Sequence, residues 1–219
     1  MTSELDWGDW DSPTPASGNN GTVALATPIR LSTFKAADRP TPFERVLTLT
    51  QIRDMVRSTT VSAEVSASTE HPLLKLALFS GRRSAENMTH ATGVEIDHDE
   101  GEISPEAALE RLWEAGLAAL VYTTRKDNPD GQRRWRAILP FSRPLVPALR
   151  RQLAESALAA LGVENDAAGV STAEGTAFYY AGVAGRPRFV ETCDGRFVDE
   201  VFPPSEPDSW GDWDRPQED

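Results

Sequence analysis

The chain has 219 residues, with 34 acidic against 22 basic side chains and a net charge of -12. That is enough for one domain with a sizeable core plus tails. The one cysteine, Cys193, excludes an internal disulfide framework, and with only His71, His90 and His98 there is no Cys/His cluster for structural zinc. The acidity is concentrated at the ends: residues 1–20 hold four acids and no base, and residues 200–219 hold seven acids and one Arg. Residues 21–199 then carry a net charge of only -2, so the low overall pI does not exclude a partner that is itself an acid, such as DNA. The opening Met-Thr-Ser-Glu-Leu-Asp lacks the basic-then-apolar order of a signal peptide. No apolar run approaches the roughly 18 residues of a membrane span. The expectation is a cytoplasmic protein with no membrane contact.

Residues 1–21 are acidic and rich in Ser, Pro, Gly and Asn, which is a disordered composition, and residues 200–219 read the same way. The pentapeptide Trp7-Gly-Asp-Trp-Asp11 recurs as Trp210-Gly-Asp-Trp-Asp214. Tryptophan in a polar tail costs solubility unless a surface buries it, so Trp7, Trp10, Trp210 and Trp213 suggest a peptide that docks on a protein partner. Shared Asp/Trp bias is the other explanation of the repeat.

Between the tails, Thr22 to Leu31 alternates like a strand, and Leu47 to Arg57 reads as a short helix with Thr48 or Thr50 at its cap. Residues 58–70 are Ser/Thr-rich and expected to form a loop. His71 to Phe79 is an apolar run whose period does not separate helix from strand. A short apolar strand then runs through Gly93-Val-Glu-Ile-Asp-His98, with five ionisable side chains between Glu95 and Glu100. Alternation puts Glu95 and Asp97 on one face of it. Two carboxylates so placed suit a hard divalent cation; the plainer reading is a polar strand end entering a turn at Asp99-Glu-Gly101.

Ser104-Pro105 starts a helix, with Leu109, Leu112, Trp113 and Leu117 at helical spacing toward a sheet. Leu117 to Thr124 and Arg133 to Pro140 read as strands joined by the turn-rich 125–132, hence a hairpin. Leu145 to Leu161 is the clearest helix, stopped by Gly162. Thr176 to Val183 and Arg188 to Thr192 complete the sheet. The fold class expected is α+β: a mostly antiparallel sheet with helices packed on one face, over residues 22–199.

The order of these parts resembles the catalytic domain of the archaeo-eukaryotic primase superfamily, the primase-polymerases of phages and plasmids. The pieces are Gly93-Val-Glu-Ile-Asp-His-Asp-Glu-Gly101, Leu120-Val-Tyr-Thr-Thr124, Arg134-Trp-Arg136 running into Leu139-Pro-Phe-Ser-Arg-Pro144, then Asp166 and Phe178-Tyr-Tyr180. The resemblance implies an RRM-like palm and metal-dependent nucleotidyl transfer on a DNA template, from nucleoside triphosphates, in DNA replication. It also implies that Glu95, Asp97 and Asp166 are catalytic and hold Mg2+ or Mn2+. Arg134 and Arg136 alternate onto one strand face, where they would bind triphosphate oxygens or else form the solvated face of an edge strand, with Arg125 and Lys126 as further nucleotide contacts. The family's His is missing: after Tyr122-Thr-Thr124 the chain reads Arg125-Lys-Asp127. A second possibility is therefore a degenerate primase-like domain that binds nucleic acid or protein, the latter through its tryptophan tails. A rolling-circle nuclease using Tyr179 or Tyr180 would need a His-x-His pair, which the sequence lacks.

Overall fold

The computed structural model describes residues 23–62, 64, 71–99, 103–163 and 176–205. Both Trp-Gly-Asp-Trp-Asp copies, and the segment holding Asp166, lie outside the described residues.

The chain folds as α+β with antiparallel sheets and a few helices. Five strands form the central sheet in the order β11 (Val190–Cys193), β7 (Ala119–Thr123), β8 (Trp135–Leu145), β6 (Met88–His98) and β5 (Ala77–Phe79), every pair antiparallel. A second sheet has the order β2 (Phe43–Leu47), β1 (Ile29–Phe34), β4 (Leu73–Lys75) and β9 (Phe178–Tyr179), again antiparallel. One short parallel pair, β3 (Thr60–Val61) with β10 (Gly182–Val183), joins two segments distant in the sequence.

Alternation along the central strands decides what covers each face. Val94, Ile96, Trp135, Ala137 and Leu139 point into a core shared with α3 (Pro105–Glu114) and α4 (Arg150–Leu161). Leu120, Tyr122 and Ile138 point the other way, into a core shared with α2 (Leu49–Ser58), β1 and the β4–β5 run. Glu95 and Asp97, on the opposite face of β6 from Val94 and Ile96, are thereby aimed toward the second sheet.

Local chemistry accounts for the element ends. Thr48 caps α2 in a reciprocal capping box with Gln51. Ser104 caps α3 by accepting the Ala107 N–H, with Pro105 at the first helical position. Gly162 closes α4 at φ 69°, a left-handed conformation open to glycine at no steric cost.

Several sequence expectations change. The first apolar stretch is a helical turn, α1 (Val23–Ala26), followed by β1, rather than one strand from Thr22. The apolar run from His71 is strand, divided into β4 and β5 at Leu76, where the chain passes from one sheet to the other. β8 continues to Leu145, and α4 begins only at Arg150 after a 3-10 turn over Pro147–Leu149. Trp113 does not pack on the sheet: it is 63% exposed, and Ala108 and Leu112 carry the buried face of α3. A further short helix, α5 (Val198–Val201), follows β11. Among the described residues, no helix is long and apolar enough to cross a membrane.

Candidate functional site

Glu95 lies opposite Ile138 in the β6–β8 register and is fully buried. Both of its oxygens are engaged. Oε2 accepts Lys75 Nζ at 3.0 Å and Arg150 Nη2 at 2.5 Å, while Oε1 accepts the backbone N–H of Leu76. Lys75 comes from β4, Leu76 from the joint between the sheets, and Arg150 from the first residue of α4. Lys75 and Arg150 are themselves buried. Burial alone would raise the Glu95 pKa, but the two cations and the Leu76 N–H outweigh it and hold the carboxyl below its ordinary value. Burial pushes the Lys75 ammonium down to about 8, against the pull of Glu95 and with the push of Arg150.

Two residues further on, the environment opens. Asp97 is gripped by Arg136 from the facing position on β8, Nε to Oδ1 at 2.8 Å and Nη2 to Oδ2 at 3.0 Å. Just beyond the strand end, Arg134 Nη1 lies 3.2 Å from Asp99 Oδ1. Asp97 and Asp99 thus face Arg136 and Arg134 as two rungs of a cross-strand ladder, with side-chain exposure rising from 17% at Asp97 to 47% at Asp99. On the other face, the rings of His98 and Trp135 stack with centroids 4.7 Å apart.

The Phe178-Tyr-Tyr180 motif closes over the inner rung. Arg136 lies 4.9 Å above the Phe178 ring and donates from Nη1 to the Tyr179 carbonyl at 2.7 Å. Burial, only partly offset by Arg136, pushes the Tyr122 hydroxyl up to about 12. Tyr180 is buried too, and its pKa is raised by that burial, which makes it a poor nucleophile.

The residues named from sequence therefore fall into two groups. Asp97, Arg134 and Arg136 come together in the ladder, with Glu95 buried beneath it. Arg125 and Lys126 make no ion pair within the ladder; they lie at the foot of the β7–β8 hairpin, where Arg125 Nη1 is 3.2 Å from His71 Nε2. Asp166 belongs to the segment outside the described residues.

The donor set fits a divalent cation unevenly. Glu95 does not fit: a metal ion would have to displace two buried cations and an amide from a carboxylate that solvent barely reaches. Asp97 and Asp99 do fit in their chemistry, as partly exposed oxygen donors two residues apart, provided Arg136 and Arg134 move off them. Asp99 reads in the sequence as part of a turn. The signal for it is the same alternation that pairs Glu95 with Asp97, carried one step further and matched by Arg134-x-Arg136. No signal in the sequence announces Lys75 or Arg150 as partners of Glu95, because they lie 20 and 55 residues away.

No family model matches the chain, and no curated protein matches it. Among solved structures, the AEP domain of the cyanophage S-2L primase-polymerase is similar, with a TM-score of 0.40 and 13% identity over 81% of this chain and 88% of that one. A likeness so distant assigns neither an activity nor a residue.

Proposed function

We propose that this chain is a primase-polymerase-like domain that binds nucleoside triphosphates and a DNA template and joins nucleotides with Mg2+ or Mn2+, in DNA replication. The observation that carries the reading is the ladder of Asp97 and Asp99 against Arg136 and Arg134. Carboxylates and guanidiniums alternate there on one partly exposed strand end, and a metal-bound triphosphate presents the complementary set of charges. Asp97 and Asp99 would hold the ion, which would supply Lewis-acid polarisation and neutralise charge on the phosphates. The arginines, freed from the carboxylates, take phosphate oxygens in the same forked geometry. The Phe178 ring and the Tyr179 carbonyl hold Arg136 in place while its partner changes. Asp166 is the third acid that the motif order supplies.

One observation favours a second reading, a degenerate module that binds nucleic acid or a protein partner. Glu95, half of the acidic pair in the first motif, is committed to Lys75 and Arg150 inside the core. Incorporation on primed and unprimed templates, with Mg2+ and with Mn2+, separates the two. We expect incorporation by the parent protein that Asp97→Ala reduces to background while the fold is kept. If neither metal supports incorporation by folded, template-bound protein, the degenerate module stands instead.

A further inference from the structure

At the foot of the β7–β8 hairpin, against the connection from β10 to β11, lies a cleft of about 400 Å³. That is within the size range of small-molecule sites. Arg125 and Lys126 line one bank, Arg186 the other, and Arg188 completes the wall. The acid on the wall, Asp127, has its charge met from outside the cleft: Oδ1 accepts Arg133 Nε at 3.1 Å and the Arg134 N–H at 2.8 Å, and Oδ2 accepts Arg133 Nη2 at 3.4 Å.

Elsewhere among the described residues the arginines divide between paired ones and ones without a carboxylate, such as Arg39 and Arg82. Arg30, Arg53, Arg57, Arg134, Arg136 and Arg150 each lie within ion-pair distance of a carboxylate. Among the described residues, Arg125, Lys126, Arg186 and Arg188 have no such carboxylate. Arg188 is nevertheless fixed, its Nη1 donating to the Val56 and Tyr180 carbonyls at 2.9 and 3.1 Å and its Nη2 to Thr123 O at 3.1 Å. Its Nε is buried without a partner. The space for this side chain depends on Gly182, where a Cβ would come within 2.7 Å of Arg188 Cδ and 2.9 Å of Nη1. Four cations thus line one cleft, the acid among them is already paired with Arg133, and an anion held between the banks gains the attraction of all four. The arrangement calls for an anion between the banks.

We propose that this cleft is a phosphate-binding groove, gripping the phosphates of a nucleic-acid strand or of a nucleotide between Arg125 and Lys126 on one side and Arg186 and Arg188 on the other. It deepens the function proposed above by locating a phosphate-binding surface, and it needs no metal. The test is fluorescence anisotropy of the full chain in EDTA, with a labelled oligo-dT strand and, in a separate arm, a labelled ATP analogue. Lys126 and Arg186 are exposed and hold nothing else in place, so Lys126→Ala/Arg186→Ala leaves the fold intact, checked by thermal melting. We expect it to weaken binding roughly tenfold at low salt, and to lower the salt-dependence slope for the strand by roughly 1.4, since each phosphate contact on a single strand contributes about 0.7. Arg39→Ala/Arg82→Ala removes two exposed cations elsewhere and serves as the control. A loss confined to the strand identifies a strand groove, and a loss confined to the nucleotide identifies a triphosphate pocket. Binding of both probes within twofold of the parent, or no weaker than in the control, overturns the proposal. Because no metal is present, either result is independent of whether nucleotide incorporation occurs.

Discussion

Replacing Glu95 by Gln and Lys75 by Met should have very unequal consequences, although the two side chains touch. Among the described residues, the buried cluster brings together one carboxylate and two cations. Glu95→Gln removes the one carboxylate that the described residues bring to the cluster, so Lys75 loses its paired anion beside the Arg150 guanidinium. Breaking a buried pair in this way costs about 3 to 5 kcal/mol, a large share of the roughly 5 to 15 kcal/mol that holds a domain of this kind folded. Lys75→Met removes the surplus cation, keeps the volume, and leaves Glu95 with Arg150 and the Leu76 amide; the expected change is within about 1 kcal/mol of zero and can be stabilising. With a urea slope of about 2 kcal/mol per molar, Glu95→Gln lowers the unfolding midpoint by roughly 2 M while Lys75→Met barely moves it. Urea titration of the full chain, followed by tryptophan fluorescence and by circular dichroism, reads both. A midpoint for Glu95→Gln within about 0.5 M of the parent would refute the reasoning, because Glu95 would then be solvated and open to a metal ion after all.

The same cluster makes stability depend on pH in a definite direction. Lys75 titrates near 8 in the folded chain and near 10.5 when unfolded. Between those values the unfolded chain keeps a proton that the folded one has released, so the Lys75 contribution rises with pH across that window and is level on either side. Urea midpoints at pH 7.5 and 9.5 should therefore rise more in the parent than in Lys75→Met, and an equal or opposite difference contradicts the assignment. Gly93→Ala tests the close approach of β6 to β8: its Cβ would meet Leu139 O at 2.6 Å and Pro140 Cα at 3.0 Å, neither of which can swing aside. We expect a loss of about 2 kcal/mol or more by thermal or urea unfolding, and a near-neutral result would show that the strands part there without cost.

What was legible in the sequence was whatever local chemistry decides. Thr48 and Gln51, Ser104 and Pro105, and Gly162 mark helix ends by hydrogen bonds within a few residues. The Leu120 and Ile138 strands show their burial by composition alone. β2 was invisible because it is an edge strand whose Phe43 and Val46 are exposed, so no inward face gives it a period. The apolar stripe that seemed to include Trp113 was one residue too wide, since α3 buries a narrower face than its sequence offers. At the site, alternation correctly put Glu95 and Asp97 on one strand face. It could not tell that the inner acid would meet Lys75 and Arg150, because a sequence shows which way a side chain points and not what has been folded over it.

The joint at Leu76 deserves to be seen as a hinge that has been welded. One residue carries the chain from the second sheet to the central one, its N–H bound to Glu95 and its carbonyl accepting Thr92 N–H at 2.9 Å. Lys75, immediately before it, and Arg150, at the root of α4, close on the same carboxylate. The two sheets therefore cannot slide or open as separate plates without stripping Glu95 of its partners. Any opening motion that keeps this cluster intact belongs to the rim, at the hairpin foot and the Asp99 end of β6, while the middle of the molecule serves as a fixed anvil.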